Sequence, residues 1–247
     1  MRFPLLAVLA AASVLAHPAD LHELDARSWP DVTAFLAKVA ALFPVNVAIQ
    51  EICGAITAAE VGIATFFRIP LDRYDGCGDV TMLFARGTCD AGNVGVLTGP
   101  WFFKTLADKL WWSRRSLAVQ GFEYPATVDG YFKGSKDNGW VFANVIKNKL
   151  ARCPGTKLVL SGYSQGGMVI HQAAAVLDRA TMSKVSAVVI FGDPYSKRPI
   201  SNIDASKVKI FCHEGDNICD NGPLVLWEHL NYAEDAEDAA DFIISRI

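Results

Sequence analysis

The pentapeptide Gly-Tyr-Ser-Gln-Gly at residues 162–166 carries the strongest chemical signal in the chain. It matches the pattern G-x-S-x-G, in which a sharp turn between a strand and a helix exposes a serine hydroxyl above the edge of a sheet. The apolar run Leu-Val-Leu at 158–160 precedes the turn, and a helical pattern opens at Gln165. This context predicts that Ser164 is a nucleophile. The alternative is an ordinary glycine-rich turn in which the serine only caps a helix.

A serine nucleophile needs a base, and the chain offers five histidines: His17, His22, His171, His213 and His229. The first two lie close to the N-terminus. His171 follows Ser164 on the same predicted helix and is too far along its axis to reach the hydroxyl, at a rise of about 1.5 Å per residue. We expect it to be a helix histidine with its own partner. In folds that carry the G-x-S-x-G turn, the chain order is typically serine, then acid, then histidine. We therefore predict His229 as the base in preference to His213.

Three aspartates follow late strands and could orient the base: Asp193, Asp204 and Asp216. Asp216 lies between Cys212 and Cys219, which suggests a small disulfide loop that would hold a carboxylate rigidly. A triad acid needs that rigidity because it fixes the tautomer and the orientation of the base. We predict Asp216 as the acid and Asp193, which precedes a proline, as a turn former. The two cysteines could instead bind zinc together with His213 and Asp216, but a disulfide is favoured in a secreted chain.

The tetrahedral oxyanion of an acyl transfer needs two hydrogen-bond donors. One should be the backbone N–H of Gln165, directly after the nucleophile. The other should come from the loop after the first strand, where Gly87 allows the backbone to bend and Thr88 offers an N–H and a hydroxyl. Taken alone, this loop would be an ordinary glycine-rich turn.

The elements that must position these residues alternate between short apolar runs and longer helical patterns from position 79 onward. The predicted strands are Val80–Ala85, 117–122, 157–161, Val185–Phe191 and Val208–Phe211, and the predicted helices are Gly99–Trp112, 137–152, 165–180 and 233–247. Such alternation predicts an α/β fold with parallel strands joined by right-handed crossovers. Active sites of these sheets form beyond the carboxyl ends of the strands, where Thr88 and Ser164 would lie.

The N-terminal part of the chain differs from the rest. A positive start, an apolar run and a small residue at position 16 predict a signal peptide over residues 1–16. Residues 20–76 show helical patterns only and form a predicted N-terminal extension. Its stretch 55–67, interrupted by Glu60, is either a lid over the site or a helix packed on the core, and the apolar pattern favours packing.

Composition excludes several functional classes. The chain has 247 residues, 51% of them hydrophobic, and a formal net charge of −3. This is typical of a globular protein with a sizeable core and gives no electrostatic reason for binding nucleic acid or inserting stably into a membrane. Six cysteines behind a signal peptide predict disulfides and an extracellular location, but their spacing alone does not give the pairing.

Several spaced motifs together resemble the cutinase family: residues 84–88, 92–95, 99–100, 153–154, 162–167, 212–219 and 229–232. The resemblance covers about 77–247. It implies a three-layer α/β-hydrolase-type sandwich around a five-stranded parallel sheet. It also implies a fungal secreted serine esterase that hydrolyses cutin and related carboxylic esters without cofactor or metal, and we expect a monomer.

Carried over to this sequence, the family's functional residues fall on positions already singled out. The triad falls on Ser164, Asp216 and His229, the oxyanion donors on Thr88 and Gln165, and the disulfides on Cys77–Cys153 and Cys212–Cys219. Cys53 and Cys89 are left over, and we expect them to form a third bridge. Two related activities stay open, those of an acetylxylan-type esterase and of a short-chain lipase-like esterase. The non-enzymatic alternative is a secreted binding protein that retains the fold.

Overall fold

A computed structural model describes residues 29–43 and 45–247. The signal peptide expected over 1–16, and the first part of the extension expected over 20–76, lie outside the described residues. Within them, no helix is long and apolar enough to cross a membrane.

Seven strands form two sheets. The strands are β1 (Val47–Ala48), β2 (Val80–Ala85), β3 (Leu117–Gly121), β4 (Lys157–Tyr163), β5 (Val185–Phe191), β6 (Val208–Phe211) and β7 (Leu224–Val225). Five of them make the main sheet in the order β3-β2-β4-β5-β6, with every neighbouring pair parallel. β1 and β7 form a separate antiparallel pair.

Helices cover both faces of the main sheet. They are α1 (Val32–Leu42), α2 (Ile49–Phe67), α3 (Gly99–Trp112), α4 (Val128–Phe132), α5 (Lys136–Arg152), α6 (Gln165–Val176), α7 (Arg179–Met182), α8 (Trp227–Leu230) and α9 (Ala236–Ile244). Two 3₁₀ turns occur at Ala205–Lys207 and Tyr232–Asp235.

The central strands are mainly apolar because both of their faces are buried. In β2, Met82 and Phe84 point into one core with α3, α9 and the N-terminal helices, whereas Leu83 and Ala85 point into a second core with α5 and α6. Every residue of β2 is buried. This alternation produces three layers, so the expected α/β sandwich with a five-stranded parallel sheet is confirmed.

Two predicted helices differ in detail from the structure, and one pair of strands has no counterpart among the predicted elements. The helix expected over 165–180 ends at Val176, because Leu177 is extended and Asp178 caps a new helix by accepting the Thr181 N–H. The last helix starts later than position 233, after a 3₁₀ turn. The pair β1–β7 was not predicted, since strands of two residues give no pattern and depend on a distant partner: Val47 pairs with Val225.

The helix α2 packs on the core and is also covalently tied to the part of the chain that follows β2. Ile56 and Ile63 are buried in the same core as α3, while Val61 and Phe66 on its outer side are exposed. Three disulfides cross-link the chain: Cys53–Cys89, Cys77–Cys153 and Cys212–Cys219. The first of them joins α2 to the loop that follows β2.

Candidate active site

Ser164 is the single residue between β4 and α6, and its backbone has a φ of 54° and a ψ of −119°. A non-glycine residue adopts this conformation only where the surrounding structure enforces it, at a typical strain of about 1–3 kcal/mol. The two glycines of the motif make the turn possible. A Cβ on Gly166 would overlap the carbonyl oxygen of Ala85, and one on Gly162 would lie 2.6 Å from the carbonyl carbon of Gly166. The serine N–H is anchored by the carbonyl oxygen of Phe191 at 2.8 Å.

Asp216 and His229 form a buried hydrogen-bonded pair. The Nδ1 atom of His229 lies 2.8 Å from Oδ2 of Asp216. The same carboxylate accepts the Tyr232 hydroxyl at 2.7 Å on Oδ2 and the Ile218 N–H at 3.0 Å on Oδ1. Burial opposes ionisation of Asp216, but the hydrogen bond and the charge of His229, with the Tyr232 and Ile218 bonds, outweigh it and lower its pKa below the usual value. Asp216 is thus held as a rigid carboxylate.

The imidazole of His229 lies beside the turn that carries Ser164. Its ring stacks on Tyr163, the residue before the serine, with centroids 5.1 Å apart, and the Tyr163 hydroxyl donates to the His229 carbonyl oxygen at 2.8 Å. On the other side a Cβ on Gly192, next to Phe191, would lie 2.7 Å from Cε1 of His229. In the part of the chain that the structure describes, no hydrogen bond joins the Ser164 hydroxyl to His229. The structure therefore joins His229 directly to Asp216, and to Ser164 through shared neighbours.

Thr88 and Gln165 are also brought together. The Thr88 hydroxyl donates to Oε1 of Gln165 at 3.0 Å, and both residues are buried. The Gln165 side chain is fixed in turn by donating to Oγ of Ser135 at 3.0 Å and to the Thr127 carbonyl at 3.2 Å. As the first residue of α6, Gln165 has a backbone N–H without an acceptor inside the helix. The two residues expected to supply oxyanion donors are thus adjacent beside Ser164.

The rival histidines have partners elsewhere. The Nε2 atom of His213 lies 2.7 Å from the Asp235 carboxylate, and its Nδ1 atom lies 2.9 Å from the Asn231 side-chain oxygen. The hydrogen bond to Asp235 is the main reason that the pKa of His213 rises to about 9. A histidine that stays protonated at neutral pH does not act as a base. His171 lies 2.9 Å from Asp193 through Nε2.

The other residues considered at this edge of the sheet also have partners in the structure. Asp193 accepts the Tyr195 N–H at 2.8 Å and so forms a turn. Asp204 caps the 3₁₀ turn at Ala205–Lys207. Cys212 is bonded to Cys219, so neither thiol is available as a zinc ligand. His229 itself lies in the one-turn helix α8.

Sequence reasoning missed the side chains that support the site. Asp90 accepts the Gly87 N–H at 2.8 Å inside the loop that carries Thr88, and burial raises its pKa to about 6. Arg86 crosses the same loop by donating to the Asp90 and Tyr124 carbonyls. Asp90, which is only 7% exposed, gave no signal, since an aspartate in a glycine-rich loop normally faces solvent.

A groove runs beside this loop. It lies between α2 and residues 125–129, and Thr57, Val61, Ala126 and Val128 are among the side chains that line it, with Asp90. Thr127, in the same wall, is the residue whose carbonyl binds the Gln165 side chain. The wall of the groove is thus in contact, through Thr127, with the side chain of Gln165.

The fold and the site together define the class of the protein: a serine esterase built on an α/β-hydrolase-type sheet. A family model described as Cutinase matches residues 76–247, and the chain belongs to the cutinase family.

Individual relatives agree with this membership. The chain is 50% identical to a cutinase of Hypocrea jecorina over 241 residues, which cover 97% of this chain and 96% of the relative. It is 50% identical over 240 residues to cutinase cut1 of Trichoderma harzianum, with coverage of 97% and 96%.

A solved structure of Trichoderma reesei cutinase in complex with a C11Y4 phosphonate inhibitor superimposes with a TM-score of 0.77 and 52% sequence identity, covering 88% of this chain and 98% of that one. An acetylxylan esterase structure has a TM-score of 0.56 and 21% identity, over 69% of this chain and 99% of that one. That second likeness is one of fold alone.

Proposed function

We propose that this protein is a secreted serine esterase that hydrolyses cutin and related carboxylic esters with Ser164 as nucleophile, His229 as base and Asp216 as the acid that orients the base. The observation that carries the proposal is the 2.8 Å contact between His229 Nδ1 and Asp216, made by an imidazole that stacks on the residue preceding Ser164. Relatives at 50% identity bear the name cutinase, which supports the substrate class.

The tautomer of His229 follows from its partner. Because Nδ1 faces a carboxylate that only accepts hydrogen bonds, Nδ1 carries the proton and Nε2 is left with a free lone pair. In the proposed reaction Nε2 takes the proton of the Ser164 hydroxyl as the serine oxygen attacks the ester carbonyl carbon. The resulting imidazolium is stabilised by Asp216 and then protonates the leaving alcohol. Water, activated by the same nitrogen, releases the carboxylic acid from the acyl-enzyme.

Thr88 and Gln165 are the proposed oxyanion donors. The negative charge that develops on the carbonyl oxygen would be met by the Gln165 N–H at the start of α6 and by Thr88. The helix dipole of α6 adds positive potential at the same place. Loss of one such donor typically lowers turnover by about 100- to 1,000-fold.

The groove between α2 and residues 125–129 is the proposed route for the ester chain. Its wall is mainly apolar, and Thr127 in that wall accepts a hydrogen bond from the Gln165 side chain, which suits an acyl chain that runs toward the proposed donors. In this proposal residues 20–76 form an extension whose helix α2 makes one wall of the groove, and 77–247 form the esterase domain. Residues 1–16 direct the chain out of the cell, and the secreted protein is a monomer. Its three disulfides persist in the oxidising environment outside the cell.

The turnover of p-nitrophenyl butyrate tests the assignment of the nucleophile. Ser164→Ala should abolish the reaction, whereas Ser161→Ala should leave it within a factor of about two, because the buried Ser161 hydroxyl has no hydrogen-bond partner in the described part of the chain. Equal rates for wild type and Ser164→Ala would contradict the proposal. A series of acyl chains from acetate to palmitate separates the alternatives, since an acetylxylan-type esterase would prefer acetate.

A further inference from the structure

A carboxylate of the N-terminal extension lies buried against the loop that carries Thr88. Glu60, on α2, is fully buried, and its two oxygens accept the backbone N–H groups of Ala91 and Val96, the latter at 3.0 Å. Both amides belong to the segment that follows Thr88. The mechanism proposed above assigns no role to Glu60, and the family model begins at residue 76, beyond α2.

Two further contacts join the same face of α2 to the same loop. Cys53 is disulfide-bonded to Cys89, and the Thr57 hydroxyl donates to the Cys89 carbonyl oxygen at 2.7 Å. Positions 53, 57 and 60 are spaced by one helical turn and lie on one face of the helix. Cys89 directly follows Thr88 and has a positive φ of 64°. This face of α2 thus fixes the backbone on the C-terminal side of Thr88 at Cys89, Ala91 and Val96.

The loop is held from within by a second acid and by a buried cation. Asp90 binds the Gly87 N–H, and the Arg86 guanidinium donates to the Asp90 carbonyl. Burial, together with the charge of Asp90, raises the pKa of Glu60 well above its usual value, while Arg86 acts in the opposite direction. An acid kept inside the protein against this electrostatic penalty needs a compensating contact, and the two loop amides supply it.

We propose that Glu60 is a positioning residue for the oxyanion hole, and that α2 acts through it to fix the loop that presents Thr88. This inference rests on the proposed function of Thr88 as an oxyanion donor. Glu60 contacts no substrate. It sets the place of the donor because Ala91 and Val96 bracket the turn that leads away from Thr88, and a catalytic donor displaced by about 1 Å can lower the rate by about 100-fold.

The variant Glu60→Gln tests this directly. It keeps the size of the side chain but replaces one oxygen by an NH₂ group, so one of the two loop amides faces a donor instead of an acceptor. We expect kcat for p-nitrophenyl butyrate to fall about 10- to 100-fold with KM changed less than about threefold.

A second readout separates a displaced oxyanion donor from general loosening of the fold. A thionoester places sulfur where the oxyanion would form, and sulfur is a poor hydrogen-bond acceptor, so an intact hole favours the oxygen ester strongly. We expect the ratio of kcat/KM for the ester to that for its thionoester to fall about tenfold in Glu60→Gln. The buried core variant Ile63→Val on the same helix should lower the melting temperature but leave this ratio unchanged, because the apolar side chain of Ile63 accepts no hydrogen bond from the loop amides.

A matched pair of threonines keeps the test decisive even where Glu60→Gln folds poorly. Thr57 and Thr65 are both exposed on α2 and both donate to the carbonyl four residues earlier, but only Thr57 also reaches Cys89. Thr57→Val should lower kcat and the ester-to-thionoester ratio severalfold, and Thr65→Val should change neither. If Glu60→Gln and Thr57→Val leave the ester-to-thionoester ratio unchanged while Ser164→Ala still inactivates the enzyme, the proposed role of Glu60 is overturned and the proposed function is not. Full activity of Ser164→Ala would instead overturn the proposed function.

Discussion

Tyr232 donates a 2.7 Å hydrogen bond to Oδ2 of Asp216, the same oxygen that holds His229. The phenol ring is completely buried, and the ring of His213 stacks on it with centroids 4.2 Å apart. The carboxylate proposed to orient the base is therefore itself held by a residue three positions after the proposed base. One short segment thus supplies both the proposed base and a support for the proposed acid.

Removing this hydroxyl should weaken the site without abolishing it. In Tyr232→Phe the carboxylate loses one charge-assisted hydrogen bond, which typically contributes about 1.5–3 kcal/mol to stability. We expect turnover to fall on the order of tenfold, well short of the roughly 10,000-fold effect of placing the base in the wrong tautomer. Urea unfolding and p-nitrophenyl butyrate kinetics measure the two effects. Tyr131→Phe, which loses only a bond to the Gly222 carbonyl, should retain turnover, and an equal loss in both variants would argue against a specific role for Tyr232.

The buried Asp90 should make stability depend on pH. Its pKa is raised in the folded protein to about 6. At pH values between the pKa of Asp90 in the unfolded chain and its pKa in the folded protein, the folded state therefore binds more protons than the unfolded state. Stability should therefore decrease as pH rises from about 4 to about 6 and level off above, by an amount on the order of 2–3 kcal/mol from this residue. Asp90→Asn keeps an acceptor for the Gly87 N–H and should flatten that part of the curve in urea unfolding at pH 4 to 8. A curve with the same slope in the variant would contradict the assignment.

His213 should show a pH dependence of the same sign, at higher pH. Its folded pKa is raised to about 9, mainly by the hydrogen bond to Asp235, so its stabilising contribution is complete below the unfolded pKa and is lost as pH rises through about 9. In His213→Gln the decline of melting temperature between pH 7 and 10 should become shallower. Turnover at pH 8 should stay within about threefold of wild type, since the proposed base is His229 and not His213. Loss of turnover as complete as that in His229→Gln would instead favour His213 as the base.

The disulfides should separate stability from activity. Cys77–Cys153 closes 76 residues and Cys212–Cys219 closes 7, so the chain-entropy model gives about 4 and about 2 kcal/mol respectively. We expect replacement of the first pair by alanine to lower the free energy of unfolding more. Replacement of the second should lower turnover more, because it frees the loop that holds Asp216. The reverse order of the two activities would contradict the assignment of Asp216.

The sequence predicted the main sheet well because burial on both faces leaves a direct mark. The strand predicted at Val185–Phe191 contains an apolar run without alternation at 187–191, and the structure has that strand with the same bounds. The pair β1–β7 left no comparable mark, since each strand has two residues and is specified only by its distant partner.

The candidate site could be predicted from sequence only for those residues that belong to a motif or follow the chain order serine, acid, histidine. Ser164, Asp216 and His229 follow from a motif, a disulfide loop and chain order. Glu60 interrupts an apolar helix and is indistinguishable in sequence from a solvent-facing residue. Its two partners are backbone amides of Ala91 and Val96, which carry no residue-type signal.

The rate and position of covalent labelling by a fluorophosphonate test the central claim most directly. Peptide mapping after labelling should place the adduct on Ser164 in the wild type, and His229→Ala should slow its formation by at least about 1,000-fold while the melting temperature shows a folded protein. An adduct on another residue, or labelling of folded His229→Ala at the wild-type rate, would contradict a triad formed by Ser164, His229 and Asp216.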